Sequence, residues 1–155
     1  MSYIKIMNKH EKEEITNKLN KQFGIKEIKG MIIKIGAEKL FLYQGDLTEK
    51  QIKELEKIIP VERTGIYFAK IVPKENKIRL SIEGTQLLKD QLSKNIFELD
   101  QARAVEWMSG KELNIATGQN DFLIIKYKDN FLGTGKATAE KISNYIPKNR
   151  RLKGK

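Results

Sequence analysis

Residues 121–138 read DFLIIKYKDNFLGTGKAT. Two runs of strand-forming residues flank Asp129-Asn130, a pair suited to a tight turn, so the stretch predicts a β-hairpin. Gly133 and Gly135 interrupt the second strand. Glycine weakens a strand because it has no side chain to pack and more conformational freedom to lose. A pair of them therefore marks a bulge or a place where another backbone comes close. One reading of that approach is a tightly packed crossing in a small β-barrel. The other is a surface against which a ligand backbone lies.

Working upstream, Asn114 to Asn120 is a polar loop, and QARAVEWMSG, residues 101–110, reads as a short helix. Ala102, Val105, Trp107 and Met108 are its apolar positions, Gly110 closes it, and Trp107 is expected in the core. IFELD, residues 96–100, leads into this helix. Downstream, residues 142–151 leave room for one last short strand.

The first part of the chain is patterned differently. Residues 8–23 predict an amphipathic helix, with Ile15, Leu19 and Phe23 on one face, Asn8 as N-cap, Glu11 completing a capping box and Gly24 ending it. Residues 25–36 and 39–43 read as two strands around a short turn. Thr48 caps a second helix with Ile52, Leu55 and Ile59 as its stripe and Pro60 as its stop. Residues 63–73 and 76–84 alternate as strands, and TQLLKDQL, residues 85–92, reads as a short helix. The composition shifts at Ser93–Asn95. The sequence thus predicts an α+β protein in two small parts, an α+β unit over 1–94 and a short-stranded, turn-rich unit over 95–155, each with a marginal core alone.

The 155 residues carry 30 Lys plus Arg against 20 Asp plus Glu, a net charge of +10. The excess is uneven: residues 121–155 hold nine basic and three acidic side chains, and no acidic residue follows Glu140. Such an asymmetry suits a polyanion, because each neutralised phosphate releases counterions, so RNA is the expected partner. A lysine-rich solvated surface is the plain alternative. No apolar run approaches the roughly 20 residues needed to span a bilayer, and the first residues lack a signal-peptide pattern, so a cytoplasmic protein without a membrane partner is expected.

With no cysteine and one histidine, the sequence excludes disulfides, cysteine-ligated zinc and cysteine nucleophiles. His10 reads as a solvated helix residue. GTGK, residues 133–136, is not a phosphate loop: Asn130 stands where the first glycine belongs, and Ala137 replaces the hydroxyl. The glutamates at 11, 13, 14, 54 and 56 lie on lysine-rich helix faces, where solvated pairs are the rule. No catalytic residue, metal or cofactor is expected.

The candidate RNA-contacting residues lie in the glycine strand and the tail. Gly133, Gly135 and Lys136 would let an RNA backbone approach. Lys141, Lys148, Arg150 and Arg151 could contact phosphates, and Tyr145 could stack on a base or plug the core. Lys153 and Lys155 are expected to fray. Arg63, Lys70, Lys74, Lys77 and Arg79 add charge to the central hairpin; alternation puts Lys77 and Arg79 on one face, read as a solvated sheet face.

These same residues carry a resemblance. Trp107, Met108 and Gly110, then Leu132, Gly133, Gly135 and Lys136, then Asn144, Tyr145, Pro147, Lys148 and Arg151 follow a pattern similar to the C-terminal RNA-binding domain of the bacterial-type rRNA 5-methylcytosine methyltransferases. Ile146 is one residue more than that pattern has. The resemblance implies a PUA-like β pseudo-barrel over 95–155, Asn144 among the RNA-contacting residues, and rRNA or tRNA as the RNA. Residues 63–88 resemble the stretch upstream of that domain. They also resemble small archaeal and eukaryotic ribosome-biogenesis proteins that pair an α+β domain with a PUA domain. The methyltransferase domain, its S-adenosylmethionine loop and its cysteines are missing, so methylation is not implied. The implied function is a stand-alone, non-catalytic RNA-binding module in rRNA processing, tRNA modification or ribosome assembly. The alternative is a subunit that docks on an RNA-modifying enzyme or a ribosomal protein.

Overall fold

A computed structural model describes residues 4–58 and 65–153. The helix stop at Pro60, the stripe position Ile59, the strand start at Arg63 and the terminal Lys155 lie outside the described residues. The first five strands, β1 (Ile4–Ile6), β2 (Met31–Ile35), β3 (Lys39–Tyr43), β4 (Ile66–Val72) and β5 (Lys77–Leu80), form an antiparallel sheet in chain order. Helix α1 (Lys9–Phe23) connects β1 to β2, and α2 (Glu49–Ile58) follows β3. The second sheet holds β6 (Ile96–Glu98), β7 (Phe122–Tyr127), β8 (Asn130–Ala137) and β9 (Ile142–Ser143), in that order. Helix α4 (Gln101–Met108) crosses from β6 to its parallel neighbour β7, and α3 (Ile82–Leu87) stands between the sheets. The architecture is α+β, with a curled half-barrel as its C-terminal sheet.

Local chemistry sets the element ends. The Asn8 side chain accepts from the Glu11 amide at 2.8 Å while Glu11 reaches back to the Asn8 amide at 3.2 Å, the expected capping box. Gly24 ends α1 in the left-handed region. Thr48 and Gln51 cap α2 in the same reciprocal way. Other expectations need correcting. Ser81 does not extend β5. Its hydroxyl accepts from the Gly84 amide and caps α3, which starts three residues earlier than the pattern suggests. The β7–β8 turn is Lys128-Asp129 rather than Asp129-Asn130, since Tyr127 pairs with Asn130 and Lys128 takes the positive φ. Of the residues 25–36, only the last few are strand; Ile25 and Ile28 are buried in coil. Leu55 and Val105 are exposed, because α2 and α4 bury narrower faces than their apolar residues span.

The core has three parts. Ile15, Leu19 and Phe23 of α1 pack on one face of the first sheet, against Ile32, Leu40, Phe68 and Ile78. Ile52 of α2 covers the other face with Ile33 and Phe41. The third part gathers Trp107, Leu113, Ala137, Ile142 and Ile146. Strand β7 belongs to two of them: Phe122 and Ile124 face the α1 core, while Leu123 and Ile125 face the Trp107 core. Gln22 locks the free edge of β5, donating to the Ile78 carbonyl and accepting from its amide, both at 2.8 Å.

Truncating either side of β7 therefore tests whether the cores act together. Ile124→Ala and Ile125→Ala should each cost about 2–5 kcal/mol. Urea unfolding followed by fluorescence and by circular dichroism should show one coincident transition for both variants. Two separated transitions would mean that the shared strand does not couple the cores.

Candidate nucleic-acid interface

The tail is bolted to the end of α4, and this placement decides what it can present. A helix leaves its last carbonyls without intrahelical partners. The Asn144 side chain donates to the carbonyls of Trp107 at 2.7 Å and Lys111 at 3.1 Å, and accepts from the Ile146 amide at 2.7 Å. The Leu152 amide donates to the Met108 carbonyl at 2.7 Å. Arg151 lies across Gly110 and donates from Nε to the Ile146 carbonyl at 2.9 Å. Ile146 is buried. Lys148–Arg150 form a short 3-10 turn, and Lys153 is exposed.

Because Asn144 and Ile146 both point at the helix and core, Tyr145 between them points away. The residue is 39% exposed, its ring tilted against Phe122 at 6.4 Å between centroids. The Arg79 guanidinium carbon lies 4.0 Å from the same ring centroid. The choice between core and surface therefore resolves as both: one side of the tyrosine is packed, and the rest remains on the surface. Arg79 and Lys77 do share a face, as alternation predicts, but that face is not simply solvated. It turns toward the second sheet, where Lys77 pairs with Asp121 at 2.6 Å.

The glycines pack against protein. Gly133, Thr134 and Gly135 are all buried. A Cβ on Gly135 would come within 2.6 Å of both Trp107 Cη2 and Ile142 Cγ2, so this strand runs flat against the tryptophan. Gly133 adopts a φ of 91° and lies over Ile82, the first residue of α3. Trp107 is fully buried, as expected, and its Nε1 donates to the Leu132 carbonyl at 3.4 Å.

The cations divide by partner. Lys136 pairs with Glu75 at 2.9 Å and lies 4.9 Å over the Phe122 ring. Lys141 pairs with Glu112 at 2.6 Å, and that hydrogen-bonded carboxylate raises its pKa, so the ammonium stays charged. Arg150 pairs with Glu83. Among the described residues, Lys148 and Arg79 have no ion-pair partner. Tyr145, Arg79, Pro147 and Arg150 border one cleft; Lys141 lies by Glu112, away from it. Sequence reading missed the partnership of Arg79 with Tyr145 and the roles of Glu83 and Thr134. These residues come from both sheets, and no local pattern joins them.

The curled C-terminal sheet, with a helix crossing to a glycine-containing hairpin, is consistent with a PUA-like pseudo-barrel. Residues 94–152 match the family model described as the methyltransferase RsmF PUA domain. The C-terminal part thus resembles the C-terminal domain of an rRNA methyltransferase. No curated protein matches the chain. Among the described residues, no helix is long and apolar enough to cross a membrane.

The packing makes two predictions. Gly135→Ala should destabilise by about 1–3 kcal/mol through overpacking against Trp107. Asn144→Ala takes the side-chain partner from the Lys111 carbonyl and the Ile146 amide and should cost about 1–3 kcal/mol. Both are read as shifts of the urea midpoint at constant slope, and an unchanged midpoint would contradict the packing described.

Proposed function

We propose that this chain is a non-catalytic, cytoplasmic RNA-binding protein that acts on rRNA or tRNA during RNA modification or ribosome assembly, without a cofactor. The observation that carries the reading is the presentation of Tyr145, with Arg79 on its ring, on a domain matching a PUA family model, with Lys148, which has no ion-pair partner among the described residues, three residues further along the tail. An exposed aromatic flanked by cations suits an unstacked base and its phosphates. In this proposal residues 1–94 are an α+β domain and 95–155 the PUA-like RNA-binding domain.

The candidate residues take different roles. Tyr145, Lys148 and Arg150 touch RNA, joined by Arg79. Lys136 and Lys141 contact phosphates by exchanging their carboxylate partners for them. Gly133, Gly135, Asn144 and Arg151 hold the strand and tail in place. A second reading, docking on an RNA-modifying enzyme or a ribosomal protein, draws on the exposed Val105 and Leu152 at the same end of α4.

Binding to a structured RNA at several salt concentrations tests the reading. Affinity should fall steeply with salt, and Lys148→Ala should reduce the slope of log K against log salt by about 1. Tyr145→Ala should cost about 1–3 kcal/mol of affinity. Salt-independent binding, or full affinity in a Tyr145→Ala, Lys148→Ala, Arg150→Ala triple variant, would refute it.

A further inference from the structure

A small cleft opens beside Tyr145, at the seam between β5, the start of α3, strand β8 and the tail. Its volume is about 70 Å³. That is room for about two waters, and about half of the ~150 Å³ of a cavity that binds benzene, so the cleft admits the edge of a planar ring but not a whole base. Its walls are mostly apolar, including Leu80, Ile82, Leu132 and Pro147. The Glu83–Arg150 ion pair stands among its lining residues, an acceptor and a donor together.

One lining residue is chemically out of place. Thr134 is only 4% exposed, and its Oγ1 has no hydrogen-bond partner. The other buried polar side chains of the described core, Gln22 and Thr85, are bonded. Buried hydroxyls without partners are rare because burial strips their water. The strand register places Thr134 opposite Ile124 and Lys136 opposite Phe122, so Thr134 shares the face of the sheet on which Phe122 meets Tyr145. Gly135 beside it faces the other way, onto Trp107, while Gly133 lies against Ile82, which also lines the cleft.

We infer that this cleft holds the edge of one unpaired RNA nucleobase, with the Thr134 hydroxyl as its buried hydrogen-bond partner. The inference rests on the RNA-binding reading above and deepens it. The apolar walls accept the faces of a flat ring. The hydroxyl can donate or accept, so it can meet a carbonyl or an amino group on the base edge. Tyr145 stands at the opening, where the base leaves the strand. Arg79 and Arg150 line the cleft beside it, where the phosphates of an extruded nucleotide would run. The site thus selects unpaired over paired RNA, because a paired base keeps its edge occupied and stacked.

Two RNA hairpins that differ only by one bulged nucleotide, and the free mononucleotide of that base, are titrated at one salt concentration. The wild-type protein should prefer the bulged hairpin by about tenfold and bind the mononucleotide far more weakly. Thr134→Val keeps the shape but removes the hydroxyl, and should reduce the preference to about two- to threefold. Thr134→Ser, which keeps the hydroxyl, should retain it. Photo-crosslinking from a thiouridine at the bulge should label peptides containing Thr134 or Tyr145, a readout that does not depend on how well a variant folds. The inference is overturned if the wild type shows no preference. It fails equally if folded Thr134→Val keeps the full preference, if the mononucleotide binds as tightly as the bulged hairpin, or if the crosslink maps elsewhere. Binding of both hairpins without discrimination refutes this site alone, whereas binding of neither refutes the RNA-binding reading itself.

Discussion

Strand β7 is buried on both faces, and the rest of the architecture depends on it. Phe122 and Ile124 close the core that α1 builds on the first sheet, while Leu123 and Ile125 floor the core around Trp107. Each of these four side chains contributes about 1.5–3 kcal/mol on burial. A single strand thus supplies hydrophobic surface to two small cores, neither of which has many residues to spare. It also explains why β8, its hairpin partner, runs so close to Trp107. With β7 fixed from both sides, β8 must fit into the space that remains, and glycine at 135 makes that possible.

Around this strand the two sheets are joined by polar contacts as well as apolar ones. Lys77 reaches Asp121, Glu75 reaches Lys136, and Asn95 donates to the Gln22 carbonyl at 2.6 Å. The two ion pairs among them remain partly in contact with solvent, where such a pair contributes little to stability. Their consequence is positional. They hold β5 at a fixed offset from the tail, and so hold Arg79 over Tyr145.

Much of this was legible in the sequence where the information is local. The Asn8 and Glu11 capping box, the Gly24 stop, the β7–β8 hairpin and the buried Trp107 all follow from residues within a turn or two of each other. The α+β class follows from the same patterns. Boundaries failed where a polar side chain changed the local outcome, as when Ser81 captured the Gly84 amide and converted an apparent strand into a helix. The candidate site was legible only in part. The tail's residues could be picked out by charge and aromaticity, but the partners of Arg150, Lys136 and Lys141 are acids distant in sequence. Asn144 looked like a contact residue and is engaged in holding the tail to α4. No local pattern singles out Thr134, and only the strand register shows which way it faces.

Arg79 precedes the segment that matches the family model, yet it covers the ring of Tyr145 within that segment. A module that recurs across proteins is usually treated as carrying its own surface from one host to the next. Here the surface has two owners. The segment that matches the family model supplies the tyrosine, and the first sheet of this chain adds a cation from outside that segment. Two proteins with nearly the same module could therefore present different faces, according to what is folded against it.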